Sequence, residues 1–170
     1  MQLNFKTSMK KALFPGTFDP ITLGHTEIIE RGLELFDEII IGVGVNSSKQ
    51  TMFSLEQRIL WIQEYFLKYH QKVKVLPFEG LTVEFARKHE IQFLLRGLRS
   101  APDFEYEKHI FLLNKHLDTR IETVFLVSNT QHIGVSSTLV REIIKYHGKL
   151  EGLVPLNIIN TIYRNIYPKP

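Results

Sequence analysis

Thr17, Thr22 and His25 fall within one short stretch, Pro15-Gly16-Thr17-Phe18-Asp19-Pro20-Ile21-Thr22-Leu23-Gly24-His25, and all three side chains can donate hydrogen bonds. Prolines and glycines punctuate the stretch, which lies between the apolar run Ala12-Leu13-Phe14 and a helical pattern beginning near Gly24. That arrangement marks a turn from a strand into a helix. A helix start beside a glycine-containing loop exposes unpaired backbone N–H groups and the positive end of a dipole. With two hydroxyls and an imidazole added, the chemistry that fits is binding of an anion, foremost a phosphate. A loop that only turns the chain, with the histidine as a cap, would use similar residues.

Other polar groups fit the same chemistry. Arg96-Gly97-Leu98-Arg99 follows an apolar run and places two arginines three residues apart, able to present two forked donors to phosphate oxygens. The plainer alternative is a pair of salt bridges to Asp103 and to Glu105 or Glu107. Lys49 closes the turn Asn46-Ser47-Ser48-Lys49. Ser136-Ser137-Thr138 sits at a helix start, where hydroxyls cap the helix and backbone N–H groups face a ligand. Gly42-Val43-Gly44 lacks the third glycine of a dinucleotide fingerprint, Ser47 standing there, and no G-x-x-x-x-G-K-[ST] string exists. The histidines show no compact metal-ligand spacing, so no protein-held metal is expected.

The elements that would position these groups alternate. Strands are expected at Lys11–Phe14, Glu38–Val45, Val73–Phe78, Ile91–Leu95 and Thr123–Val127, and Glu38–Val45 is the β-branched run of a strand buried on both faces. Helices are expected at Gly24–Phe36, Ser54–Tyr69, Thr82–His89, Pro102–Leu117, Ser136–Tyr146 and within Pro155–Tyr167, with Ser54 and Gln57 resembling a capping box. Strand and helix alternating in this way imply an α/β fold: a five-stranded parallel sheet, helices on both faces and an added C-terminal helix. Thr17 and His25, Lys49, Thr82, Arg96 and Arg99, and Ser136 to Thr138 each follow the carboxyl end of a predicted strand. Those ends share one edge of a parallel sheet, where ligands bind.

At 170 residues with 44% hydrophobic residues, the chain is sized for one domain over residues 1–170 with a substantial core. Met1–Ser8 precede a second methionine and read as an upstream start or a short disordered lead. A net charge of +3 without a basic block argues for neither nucleic acid nor a membrane surface as partner. The absence of cysteine excludes disulfides and a thiolate nucleophile. With no apolar stretch of membrane-spanning length, a cytoplasmic location is expected.

Gly16-Thr17-Phe18-Asp19-Pro20 followed by Thr22-Leu23-Gly24-His25 resembles the T/H-x-G-H signature of the nucleotidyltransferase superfamily, and the whole string is similar to the first motif of bacterial phosphopantetheine adenylyltransferases. The string from Arg96 to Glu107 resembles that family's second signature, and Val135 to Arg141 the superfamily's I-S-S-T-x-x-R motif. Two departures stand out. Leu23 replaces a common asparagine, and His132, Ile133 and Gly134 stand where the family shows an aromatic, a serine and a phenylalanine.

The resemblance implies a Rossmann-like, doubly wound fold and transfer of the adenylyl group of ATP to 4′-phosphopantetheine, giving dephospho-coenzyme A and pyrophosphate. It implies catalytic roles for His25, Lys49 and Arg99. ATP would meet Thr17, Phe18, His25, Gly97, Leu98, Arg99, Glu107, His132, Ile133, Gly134, Val135, Ser136, Ser137 and Thr138. The acceptor would meet Thr17, Lys49, Thr82, Arg96 and Asn114, with Asp103 and Tyr106 in support. Magnesium would arrive with ATP, bound chiefly through its phosphates, coenzyme A could act as a feedback ligand, and the assembly would be a homohexamer. Two rivals stay open: a nucleotidyltransferase of the same fold joining CTP to glycerol phosphate or ATP to nicotinamide mononucleotide, and a silent protein that binds nucleotide or coenzyme A.

Overall fold

The computed structural model describes residues 9–45 and 50–167; the lead expected at Met1–Ser8 and the turn expected at Asn46–Lys49, with its Lys49, lie outside the described residues. The strands are β1 (Lys11–Gly16), β2 (Glu38–Gly44), β3 (Val73–Phe78), β4 (Phe93–Leu98) and β5 (Glu122–Val127). The helices are α1 (Leu23–Gly32), α2 (Leu55–Tyr65), α3 (Thr82–Lys88), α4 (Ala101–Leu117), α5 (Ser137–Lys145) and α6 (Leu156–Asn165). All strands pair in parallel, in the order β3-β2-β1-β4-β5.

Alternation along the strands divides the core. Ala12, Phe14, Ile39, Ile41, Val43 and Leu95 face one side, where they meet Ile28 and Ile29 of α1, Trp61 and Ile62 of α2, Val140 and Ile144 of α5, and Ile158 and Ile162 of α6. Leu13, Ile40 and Leu94 face the other, against Val83 and Ala86 of α3. Successive side chains of a strand point to opposite faces, so β2 must be apolar at nearly every position. Its first six residues, Glu38 to Val43, are all buried.

Four carboxyl-terminal boundaries differ from expectation by two residues or more, each for a physical reason. β4 runs on through Arg96 and Gly97 because its ladder with β5 continues to Leu98 and Val127; a polar side chain and a glycine hide that continuation in the sequence. β1 also passes through Pro15, beyond the last β1–β4 pair at Leu13 and Leu94, where one flank of the strand has no partner to serve. α1 ends at Gly32, whose carbonyl accepts from the N–H groups of Leu35 and Phe36 in a tight turn. α2 ends at Tyr65 and gives way to a short 3₁₀ turn over Leu67–Tyr69. Ser54 caps α2 by accepting from the Gln57 N–H, without a reciprocal bond.

The reversal of winding falls between β1 and β4. Their ladder holds only two residue pairs, Ala12 with Phe93 and Leu13 with Leu94. Beyond it the two strands diverge, and the carboxyl-end crevice of a doubly wound sheet opens there. Pro15–Thr17 form one lip and Arg96–Arg99 the other.

Candidate active site

The first lip is shaped by close packing. A Cβ on Gly16 would stand 2.7 Å from the ring of Phe18, so only glycine lets that ring fold back. Phe18 adopts φ 50°, an uncommon conformation for a bulky residue. Its buried ring compensates by packing 5.7 Å from Phe14 and edge-on, 5.3 Å, to His25. Beneath the loop, the carboxylate of Asp19 accepts from the backbone N–H groups of Met52 (2.8 Å) and Phe53 (3.0 Å). The buried guanidinium of Arg58 donates to the carbonyls of Thr17, Gly44 and Phe53.

α1 opens with a reciprocal cap. The Thr22 hydroxyl accepts from the His25 N–H, and His25 Nδ1 accepts from the Thr22 N–H at 3.1 Å. A ring nitrogen accepting from an amide carries its lone pair there, so the neutral ring keeps its proton on Nε2. Burial first, then the charges of Arg99 and Arg96, lower the pKa of His25 to about 4. At neutral pH this histidine is an uncharged donor.

On the second lip, Arg96 forms a two-point ion pair with the buried Glu107 of α4, Nε to Oε2 at 2.8 Å and Nη2 to Oε1. Its Nη1 donates to the Pro15 carbonyl at 2.7 Å and ties the two lips together. Arg99 donates from Nε to Asp103 at 2.9 Å. The plainer alternative of two salt bridges therefore holds, with Asp103 and Glu107 as partners. Guanidinium N–H groups beyond those engaged remain, and both arginines line the crevice. α5 docks on the loop that continues from the first lip: Ser137 donates to the Pro20 carbonyl at 2.8 Å and Arg141 to the Asp19 carbonyl at 2.7 Å.

Two cavities meet at this crevice. The larger, about 650 Å³, is lined by Thr17, Phe18, Gly24, His25, Gly97, Arg99, Val135, Ser137 and Thr138 among others. The smaller, about 550 Å³, is lined by apolar Phe78, Leu94, Ile110 and Phe111 together with Thr82 and Asn114. Pro15, Gly16, Thr17, Arg96, Tyr106 and Glu107 line both, so one chamber opens into the other.

Most of the residues singled out in the sequence converge here. Among the described residues, five do not line either cavity. Ser136 is the N-cap of α5, accepting from Leu139 N–H. Leu98 is buried in β4, where its carbonyl accepts from Ser128. His132 turns toward α1, while Ile133 and Gly134 face outward, with nothing near a Cβ on Gly134. Sequence reasoning missed Asp19 and Arg58 as organisers of the loop, and Gln50, Thr51 and Ser128 as wall residues. Their partners lie far away in the chain, and nothing local distinguishes them from solvated polar groups. Among the described residues no group of three or more His, Cys, Asp or Glu could hold a metal ion, and no helix is long and apolar enough to cross a membrane.

Comparison with known proteins agrees with this geometry. Residues 13–143 match the cytidylyltransferase-like family. A phosphopantetheine adenylyltransferase of Flavobacterium johnsoniae is 52% identical over 147 residues, covering 86% of this chain and 95% of the relative. One of Clostridium botulinum is 44% identical over 156 residues, covering 92% and 98%. The fold alone is shared with a putative nicotinate-nucleotide adenylyltransferase from Vibrio parahaemolyticus, at TM-score 0.66 and 15% identity over 96% of this chain and 98% of that one. All three sequence motifs lie within the matched span and meet at one crevice, and on identity and coverage of this extent the chain belongs to the phosphopantetheine adenylyltransferase family.

Proposed function

We infer that the protein transfers the adenylyl group of ATP to 4′-phosphopantetheine, a step in the making of coenzyme A. The observation that carries this reading is the pair of connected cavities, one rich in donors and cations and one largely apolar with isolated polar groups. The first suits a nucleotide triphosphate, and the second a pantetheine arm whose amides meet Asn114 and Thr82. Their shared wall, at Thr17 and Arg96, is where the two reacting phosphates would meet.

A phosphate oxygen of 4′-phosphopantetheine attacks the α-phosphorus of ATP in line. The new P–O bond forms as the bond to the β-phosphate bridge breaks, and pyrophosphate leaves. A phosphomonoester has a second pKa near 6, so the nucleophile is mostly dianionic at neutral pH and needs no general base. The protein's task is to offset repulsion between anions and hold them in line. His25 Nε2–H and the spare N–H groups of Arg99 stabilise the charge that gathers on the transferring phosphoryl group. Arg96 orients the attacking phosphate, and Lys49 is assigned to the same cluster by the family resemblance.

Magnesium would come with ATP. The carboxylates at the crevice are already engaged, Asp19 by backbone N–H groups, Asp103 by Arg99 and Glu107 by Arg96. That donor set fits an ion carried on the nucleotide phosphates rather than one caged by the protein. Coenzyme A, which shares the pantetheine arm, would compete for the smaller cavity, and the location proposed is the cytoplasm. For assembly we propose a homohexamer; its support is α4, which exposes Phe104, Leu112, Leu113 and Leu117. Light scattering should then give about six times the 19.9 kDa chain mass.

Pyrophosphate release tests the reaction. With ATP and 4′-phosphopantetheine it should appear, and with CTP plus glycerol 3-phosphate or ATP plus nicotinamide mononucleotide it should not. Release only with another pair would overturn the substrate. No release with any pair, with ATP and coenzyme A still binding, would favour a silent binding protein.

A further inference from the structure

The helix that carries His25 also grips the loop on the far wall of the larger cavity. Gly24, Glu27 and Arg31 are spaced by three and four residues, so they share one face of α1. That face meets residues 127–132. Arg31 Nη1 donates to the Val127 carbonyl at 2.7 Å and to Glu27 Oε1 at 2.8 Å. Glu27 Oε2 accepts from the Asn129 N–H at 3.1 Å and lies 3.7 Å from His132 Nδ1, a buried nitrogen with no hydrogen-bond partner among the described residues. A Cβ on Gly24 would stand 3.6 Å from His132 Cβ, so the loop rests on the first turn of the helix.

The partners on the two sides are about a hundred residues apart in sequence, and the bonds close at the end of β5. There the chain leaves the sheet, passes Ser128 on the cavity wall and returns at Val135. Within this loop His132 N–H donates to the Asn129 carbonyl, and at its base Ser128 N–H donates to Leu98. Glu27 is mostly shielded, its side chain 13% exposed, while the Arg31 side chain is 40% exposed. An exposed pair on a helix is ordinarily worth little. Here both members spend donors and acceptors on a distant backbone, which fixes geometry.

We propose that Glu27 and Arg31 are positioning residues for the nucleotide: a clasp on α1 that sets the 127–132 segment against the catalytic helix and so fixes the far wall of the ATP cavity. The proposal rests on the reading of the larger cavity as the ATP chamber. Neither residue lines either cavity, so the clasp acts through the wall it holds. The smaller cavity shares no residue with the clasp or its loop and should be indifferent to it.

The test compares Glu27→Ala, Glu27→Gln and Arg31→Ala with the parent protein. ATP affinity is measured by calorimetry without the second substrate, KM for both substrates by pyrophosphate release, and thermal stability alongside. Glu27→Ala should weaken ATP binding and raise its KM about ten-fold, while KM for 4′-phosphopantetheine stays within about two-fold. Glu27→Gln keeps an acceptor for the Asn129 N–H and should recover most of the ATP affinity. Arg31→Ala should show the same selectivity at smaller size. Equal changes in both KM values, unchanged ATP binding, or a loss in Glu27→Ala that tracks the melting temperature without rescue in Glu27→Gln would overturn the clasp. Parent protein that binds ATP but releases no pyrophosphate would refute the reaction and leave the binding shift to judge the clasp. Parent protein that binds no ATP would overturn both.

Discussion

Thr22 and His25 cap one another: the threonine hydroxyl accepts from the histidine N–H, and the histidine ring accepts from the threonine N–H. One histidine thereby closes the first turn of α1 and presents Nε2–H to the crevice. The spacing of the T-x-G-H string is the spacing of a capping box, N-cap to N3, with imidazole in place of the usual carboxylate or amide. A carboxylate there would cap equally well but would repel phosphate.

His25 should titrate far below an ordinary histidine. Burial, then Arg99 and Arg96, lower its pKa to about 4, against about 6.5 for a free side chain. Because the folded state resists protonation, the contribution of this group to stability is complete above about pH 6.5. It is lost progressively as pH falls toward 4. Histidine ring resonances followed by NMR should place the His25 midpoint near 4. A midpoint at or above 6 would remove the uncharged donor from the mechanism.

Two substitutions separate its two tasks. His25→Ala loses cap and donor, so kcat should fall about 10²–10³-fold and stability by about 1 kcal/mol. Glutamine at the same position can cap as an N3 residue, so His25→Gln should recover the melting temperature. It should stay at least ten-fold slow, because its amide follows a different path into the crevice. Full turnover in His25→Ala would show that this ring has no part in the chemistry.

Arg96 serves both lips, through Glu107 and through the Pro15 carbonyl. Arg96→Ala leaves a buried carboxylate unpaired. The cost should be about 2–3 kcal/mol, less than for a fully buried pair because the Arg96 side chain is 27% exposed. Arg96→Lys keeps the charge but not the fork. It should raise KM for 4′-phosphopantetheine at least ten-fold with a smaller loss of stability. Denaturant titration and steady-state kinetics on the two variants check both halves, and an unchanged KM in Arg96→Lys would take the attacking phosphate away from this arginine.

Much of this was legible because the responsible forces are local or periodic. The β-branched run from Ile39 to Val43 demanded burial on both faces and found it in the interior of the sheet. Thr17, Thr82, Arg96 and Asn114 come from separate parts of the chain and line one cavity, because parallel strands deliver their carboxyl ends to the same edge. What stayed hidden depends on contacts across the chain. The resemblance puts the 132–134 segment at the nucleotide; in the fold its side chains turn to α1 or outward, a path set by Glu27 and Gly24 on that helix. Arg58 looked like one more polar residue in a helix pattern. Only the fold shows that it is buried.

Arg58 gives the most demanding test of the loop. The residue is 3% exposed, and its guanidinium donates to three carbonyls, at Thr17 in the first lip, Gly44 at the end of β2, and Phe53 just before α2. Asp19 answers from the other side by accepting the N–H groups of Met52 and Phe53. Arg58 therefore joins the loop that holds Thr17 to both flanks of the segment that carries Lys49. Arg58→Met keeps much of the volume and removes every donor, leaving three carbonyls without their partner. Each lost buried bond costs about 1–3 kcal/mol, with partial relaxation expected. The variant should lose about 3 kcal/mol and at least a hundred-fold in kcat/KM. Arg58→Lys can satisfy one or two of the carbonyls and should fall between. Denaturant melts paired with kinetics decide the matter: full activity in folded Arg58→Met would mean that the loop keeps its shape unaided, and that Gly16 and the Phe18 ring suffice to set it.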